Sequence, residues 1–142
     1  MEKLQLRIPG RLPGLNDLIC HNRSHWAEGA RLKRETDMKI RTSIRCQVPW
    51  RLPGKSGALI QEPVHIHFEW HEGNRRRDLD NIYSAKKYVL DALQEAGVIM
   101  NDSQKYVTGL SDEFILNRDW EGVVVTLSFA GEHPEKEGGK RE

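Results

Sequence analysis

The chain has 142 residues, 37% of them hydrophobic and 30% charged, enough for one domain with a buried core and too apolar for a disordered chain. Its longest apolar run, Val123 to Ala130, is broken by Thr126 and Ser128 and falls short of the ~20 residues of a membrane helix. The first five residues lack the apolar stretch of a secretion signal, and two cysteines, Cys20 and Cys46, are too few for a disulfide scaffold, so a cytoplasmic domain is expected. The net charge of +1 hides an asymmetry: residues 1–58 hold 12 Lys/Arg against 5 Asp/Glu, and residues 59–142 hold 10 against 16. That division points either to a polyanionic partner or to two halves that attract each other in one fold.

Leu4 to Ile8 alternates apolar and polar residues and predicts a strand, stopped by Pro9-Gly10. Arg11 to Arg23 reads as a loop carrying Pro13, Gly14 and Asn16. From about Ala27 to Gln47 there is no proline and few β-formers, which predicts a helix ended near Pro49. Arg34, Arg41 and Arg45 fall at helical spacing on its exposed side. Trp50 to Gly57 is a second loop, turning at Pro53-Gly54.

Val64 to Trp70 is the clearest strand, with four apolar residues on one face and His65, His67 and Glu69 on the other. Gly73 and Asn74 end it. A second helix is predicted from about Leu79 to Ala96, with Ile82, Ala85, Val89, Leu93 and Ala96 as its buried stripe and Gly97 as its C-cap. Tyr106–Leu110 and Glu113–Leu116 predict one long or kinked strand, and Val123–Phe129 returns as the last strand of a terminal hairpin. Residues 131–142 have no apolar anchor and read as a disordered tail, which leaves 1–130 as the domain. The order β-α-β-α-β-β predicts a single α+β domain with a mixed sheet and two main helices.

The chemistry concentrates in Arg75-Arg76-Arg77-Asp78-Leu79-Asp80-Asn81. Two carboxylates this close repel each other unless a hard divalent cation joins them. Mg²⁺ takes one or two protein carboxylates and fills its shell with water and phosphate oxygens, and three arginines just upstream would hold such a phosphate. The plainer alternative is that one of the two aspartates caps the helix. Asn101-Asp102-Ser103 supplies a third acid between helix and strand, where it also fits ordinary turn chemistry. Asp80, Ser84, Lys87 and Asp91 fall on one helix face, so Lys87 stands over the cleft of Asp80 or pairs with Asp91; Lys86 points away and reads as a solvated surface lysine.

Other candidates are weaker. Cys20, His21 and His25 lack a fourth zinc ligand, and Gly54-Lys55-Ser56 lacks the leading glycine of a phosphate loop. His65, His67 and Glu69 read first as a polar sheet face and second as a metal-proximal group. Among the tryptophans Trp70 belongs to the core; Trp26, Trp50 and Trp120 are open to stacking on an unpaired base.

Arg77-Asp78-Leu79-Asp80-Asn81, Leu90-Asp91-Ala92-Leu93, Ala96-Gly97-Val98-Ile99 and Asn101-Asp102-Ser103-Gln104 together resemble the RusA family of Holliday junction resolvases. Leu12-Pro13-Gly14-Leu15-Asn16, with the basic helix after it, resembles that family's opening, and the likeness runs from residue 4 to about 129. It implies a Mg²⁺-dependent endonuclease, with Mn²⁺ as a substitute. The enzyme would act as a homodimer that makes paired symmetric cuts in four-way DNA junctions during recombination and repair. Such enzymes are often phage- or prophage-encoded.

The resemblance assigns the essential aspartates to Asp78, Asp80 and Asp102. The family lysine falls on Ser84 when counted from the second aspartate and on Lys87 when counted back from Asp-Ala-Leu, because the helix carries three extra residues. Lys87 is expected to fill the role, one turn farther along. Arg75, Arg76 and Arg77 are expected to hold the DNA backbone, with Arg34, Arg41 and Arg45 as the wider DNA-facing surface. Two other classes remain: a branched-DNA-binding module without catalysis, and an Asp-x-Asp phosphatase or transferase acting on a small phosphorylated substrate. The wholly polar stretch His71 to Arg77 before Asp78 disfavours the last.

Overall fold

A computed structural model describes residues 2–17, 26–49, 52 and 57–130. Cys20, His21, His25, Trp50, Gly54-Lys55-Ser56 and the tail from Gly131 lie outside these residues. Four strands, β1 (Glu2–Pro9), β2 (Val64–Glu72), β3 (Val107–Leu116) and β4 (Gly122–Phe129), form one mixed sheet. Among the described residues α1 (Trp26–Gln47), α2 (Leu79–Tyr83) and α3 (Lys86–Ala96) pack on one of its faces, and residues 15–17, expected in a loop, are also helical. The α+β architecture expected from the element order is the one observed. Among the described residues no helix is long and apolar enough to cross a membrane.

The sheet order is β1-β4-β2-β3, with β4 antiparallel to both β1 and β2 and β3 parallel to β2. The expected terminal hairpin is therefore not formed: β3 and β4 follow each other in sequence but are separated by β2. Gly122 to Val125 are buried at four consecutive positions, and β4 lies inside the sheet with a strand on each side. Strand β3 carries Ser111, Asp112 and Glu113, tolerates water, and goes to the edge. A parallel β2–β3 pair requires a crossover, which α2 and α3 supply.

The other edge strand is blocked by a side chain. Gln47, the last residue of α1, accepts a hydrogen bond from the Arg7 amide at 2.7 Å and donates one to the Arg7 carbonyl at 2.6 Å. That occupies the backbone of β1 at Arg7, toward the end of the strand.

The predicted single helix over 79–96 is two helices joined by a turn at Ser84 and Ala85. Ser84 Oγ donates to the Asn81 carbonyl at 2.6 Å, a local bond that competes with helix continuation. Ala85 N and Tyr88 N then bond three residues back, to Ile82 and Ala85, which tightens the chain through the turn. The buried stripe survives the break: Ile82, Ala85, Val89 and Leu93 are buried and Ala96 half-buried. Gly97 ends α3 in the left-handed conformation, φ 85°, with its amide on Gln94 O and Val98 N on Leu93 O.

Inward-facing Ile66, Phe68 and Trp70 of β2 meet Leu127 and Val125 of β4 and the helices, with Trp70 and Tyr83 rings 6.2 Å apart. By alternation the opposite face is polar: Lys3, Gln5 and Arg7, then Thr126 and Ser128, then His65, His67, Glu69 and His71, then Ser111 and Glu113. Leu127 is fully buried on the central strand, so Leu127→Ala should lower the unfolding free energy by about 2–5 kcal/mol in urea titrations monitored by circular dichroism.

Candidate active site

The site is built where β2 ends. Alternation carries Glu72 onto the buried face of β2, where it is 3% exposed. A buried carboxylate needs a cation, and the chain supplies one five residues on. Arg77 turns inward, its side chain 11% exposed, and grips both oxygens of Glu72 through Nε and Nη2. Its remaining nitrogen, Nη1, donates to the Leu12 carbonyl at 3.2 Å and to Asp17 Oδ2 at 3.4 Å. One guanidinium thus joins the strand end to the N-terminal segment, and its own residue is covalently next to Asp78. The expectation that Arg77 contacts DNA with its two neighbours is corrected: its charge is spent inside the fold, whereas Arg75 and Arg76 are exposed.

The N-terminal loop docks on the same segment. Leu15 N donates to Ser84 Oγ and Asn16 N to Asn81 Oδ1, each at 2.9 Å. Gly14 lies so close to Asn81 that a Cβ there would sit 2.4 Å from the Asn81 carbonyl oxygen. Leu12-Pro13-Gly14-Leu15-Asn16 and Asp78-Leu79-Asp80-Asn81 are therefore two halves of one local structure.

Asp78 occupies the N-cap position of α2, in extended conformation at φ −69° and ψ 151°, yet its side chain makes no capping hydrogen bond. Asp78 thus holds the cap position that the plainer reading expected of one aspartate, without the side-chain bond of a cap. Asp80 is exposed in the first turn. Neither carboxylate has a hydrogen-bond or ion-pair partner among the described residues. Asp102 is also exposed, and it receives the Lys87 ammonium at 3.2 Å. Lys87 bonds Asp91 Oδ1 at 3.2 Å as well, and these two carboxylates, Asp91 first, hold its pKa above the ordinary lysine value. The ion pair to Asp91 is present, and the other acid that Lys87 bonds is Asp102, whereas it was expected to stand over Asp80. The oxygens of Asp78, Asp80 and Asp102 do not all converge: among the described residues, the trio with ligand atoms within 4.8 Å of one another is His67, Glu69 and Glu113.

Lys86 is not the solvated lysine that its position on the helix suggests. It is half-buried, bonds Asp112 Oδ2 on β3, and lies 5.7 Å from the Phe68 ring centre; Trp70 Nε1 donates to the other Asp112 oxygen at 2.9 Å. The break at Ser84-Ala85 is what redirects it, since Lys86 begins a new helix over the sheet. Lys87, next along, faces a cleft of about 440 Å³ between α1, the N-terminal loop and α3, lined also by Lys33, Asp37, Ser84 and Asp91. Lys33 was not singled out from the sequence. Arg34 and Arg45 are exposed as expected, while Arg41 pairs with Asp37 at 2.9 Å and with Glu95 of α3 at 3.5 Å, tying the two helices together.

A family model described as Endodeoxyribonuclease RusA matches residues 22–128, about three quarters of the chain. The chain belongs to the RusA family. No curated protein matches the sequence. Membership places the RusA-family chain among the endodeoxyribonucleases, hydrolases of DNA phosphodiester bonds, and the matched span contains every element of the site except Leu12 to Asp17.

The buried pair yields a direct test. Arg77→Ala leaves the Glu72 carboxylate buried without its cation, which should cost about 3–5 kcal/mol in chemical denaturation. A loss near that of an exposed ion pair, below about 1 kcal/mol, would show that water replaces the guanidinium at Glu72.

Proposed function

We propose that the chain is a divalent-metal-dependent nuclease that resolves four-way DNA junctions, with Asp78, Asp80 and Asp102 as its metal-binding acids. The observation that carries this reading is the pair of exposed carboxylates at the start of α2 that have no partner among the described residues, beside two exposed arginines. Carboxylates with no internal partner are free to ligate. An all-oxygen, solvent-accessible donor set fits Mg²⁺, or Mn²⁺ in its place, rather than a softer cation. When bound, such an ion supplies activation of a water molecule and neutralisation of the charge that grows on the phosphoryl oxygens.

The chain's own groups do the rest. Arg75 and Arg76 hold the phosphodiester backbone without reading base sequence. Lys87, kept protonated by Asp91 and Asp102, presents a positive charge toward the same phosphate and steadies Asp102. Arg34 and Arg45 extend the basic surface, and Arg41 fixes the helix that carries them. Junction resolution needs two matched cuts in opposing strands, which a two-fold homodimer provides through two identical sites. The products are expected to carry 5′-phosphate and 3′-hydroxyl ends that a ligase reseals, as recombination and repair require in the cytoplasm of a phage-infected or host cell.

The deciding experiment is cleavage of a synthetic four-way junction beside a linear duplex of the same arms, in Mg²⁺ and in EDTA. Paired, ligatable nicks in the junction alone, and only with metal, are expected. Binding without nicking would replace the reading by a non-catalytic junction-binding module. Asp80→Asn should abolish cleavage while junction affinity in a gel-shift titration is retained.

The lysines separate cleanly. Lys87→Ala should slow cleavage by roughly 10²–10³-fold with an unchanged melting temperature. Lys86→Ala should instead lower the melting temperature, because Asp112 loses its cation. The opposite ranking would assign the catalytic charge to Lys86.

A further inference from the structure

The β2–β3 register sets Glu69 directly opposite Glu113, and His67 directly opposite Ser111, on the sheet face away from the helices. Like charges facing each other across two strands destabilise the pair. No lysine or arginine among the described residues bonds either glutamate; their partners are histidines. We propose that His67, Glu69 and Glu113 form a second cation site, independent of the aspartates, that takes a transition metal of the Zn²⁺ type.

Three ligand atoms, one imidazole nitrogen and two carboxylate oxygens, lie within 4.8 Å of one another. Two of the three inner groups, His67 and Glu69, are each oriented by an outer one, the arrangement that metal ligands use. His67 Nε2 is 3.2 Å from Glu113 Oε1, while its Nδ1 is 2.6 Å from Ser111 Oγ. Glu69 Oε1 is 3.2 Å from His71 Nε2, and the Asn117 side-chain nitrogen donates to His71 Nδ1 at 3.2 Å. That last bond makes Nδ1 an acceptor, so the Nε2–H of His71 donates to Glu69 and fixes its carboxylate.

The relay His65–Ser111–His67 has two complete settings, because Ser111 Oγ is also 2.9 Å from His65 Nε2. In one, His65 Nε2–H donates to Ser111, the hydroxyl donates to His67 Nδ1, and His67 Nε2–H donates to Glu113. In the other, the hydroxyl donates to His65 Nε2, His67 Nδ1–H donates to Ser111, and His67 Nε2 offers a lone pair beside both carboxylates. The first satisfies every group without a cation; the second is a ready ligand set. A mixed nitrogen and oxygen set favours Zn²⁺ over Mg²⁺, which prefers oxygen alone and holds its water. The bound ion would fasten edge strand β3 to β2, and β3 carries on its other face the Asp112 that holds Lys86.

The test uses tag-free, EDTA-stripped full chain bearing Asp78→Asn and Asp80→Asn, titrated calorimetrically with ZnCl₂. One equivalent of Zn²⁺ should bind, undiminished by excess MgCl₂, and the melting temperature should rise with it. Adding His67→Ala should weaken binding by at least roughly tenfold. Glu113→Gln, on the exposed edge strand, should do the same and serves if His67→Ala fails to fold by circular dichroism. Absence of saturable Zn²⁺ binding in this background, or an affinity that neither variant changes, overturns the proposal. Binding present in the wild type and lost with the two aspartates also overturns it and returns the ion to the first site.

Discussion

The ion pair between Arg77 and Glu72 is the contact on which the rest of the site depends. It lies where three segments distant in sequence meet: the end of β2, the loop through Leu12 and Asp17, and the entry to α2. Replacing both partners with apolar residues of similar volume could leave stability unchanged, as with many buried ion pairs. It would not preserve position. A planar guanidinium with five donors fixes direction as well as distance, and the residue it anchors is covalently next to Asp78.

The neighbouring charges are divided between those satisfied inside the fold and those left available. Arg41, Arg77, Lys86 and Asp112 are all engaged with protein partners. Asp78, Asp80, Arg75 and Arg76 are exposed. Both aspartates stand at the positive end of α2, and the N-cap position of Asp78 offers a capping bond that its side chain does not make.

Much of the fold was legible because it is written in local periodicity. The alternation in Val64–Trp70, the 3–4 spacing of Ile82, Val89 and Leu93, and Gly97 at a helix end each report one element's own geometry. Strand neighbours are not a local property. Val123–Phe129 follows β3 after a short turn, yet it enters the sheet between β1 and β2.

The same distinction holds at the site. The Asp-x-Asp spacing and Lys87 could be read directly, whereas the inward turn of Arg77 and the pairing of Lys86 required knowing what stands opposite them. Glu72 was the missed clue. It continues the inward-facing alternation of β2, so a charge was due to be buried there and a cation had to come to meet it.

The two hydrogen bonds from Gln47 to the Arg7 backbone have a consequence beyond holding α1 to β1. An edge strand is a template on which a foreign strand can polymerise. Here a glutamine amide imitates the missing neighbour, offering one donor and one acceptor at the spacing a peptide would use. An incoming chain must evict it before the ladder can grow. At Arg7 the β1 edge is thereby closed to strand addition by a side chain in place of a neighbouring strand.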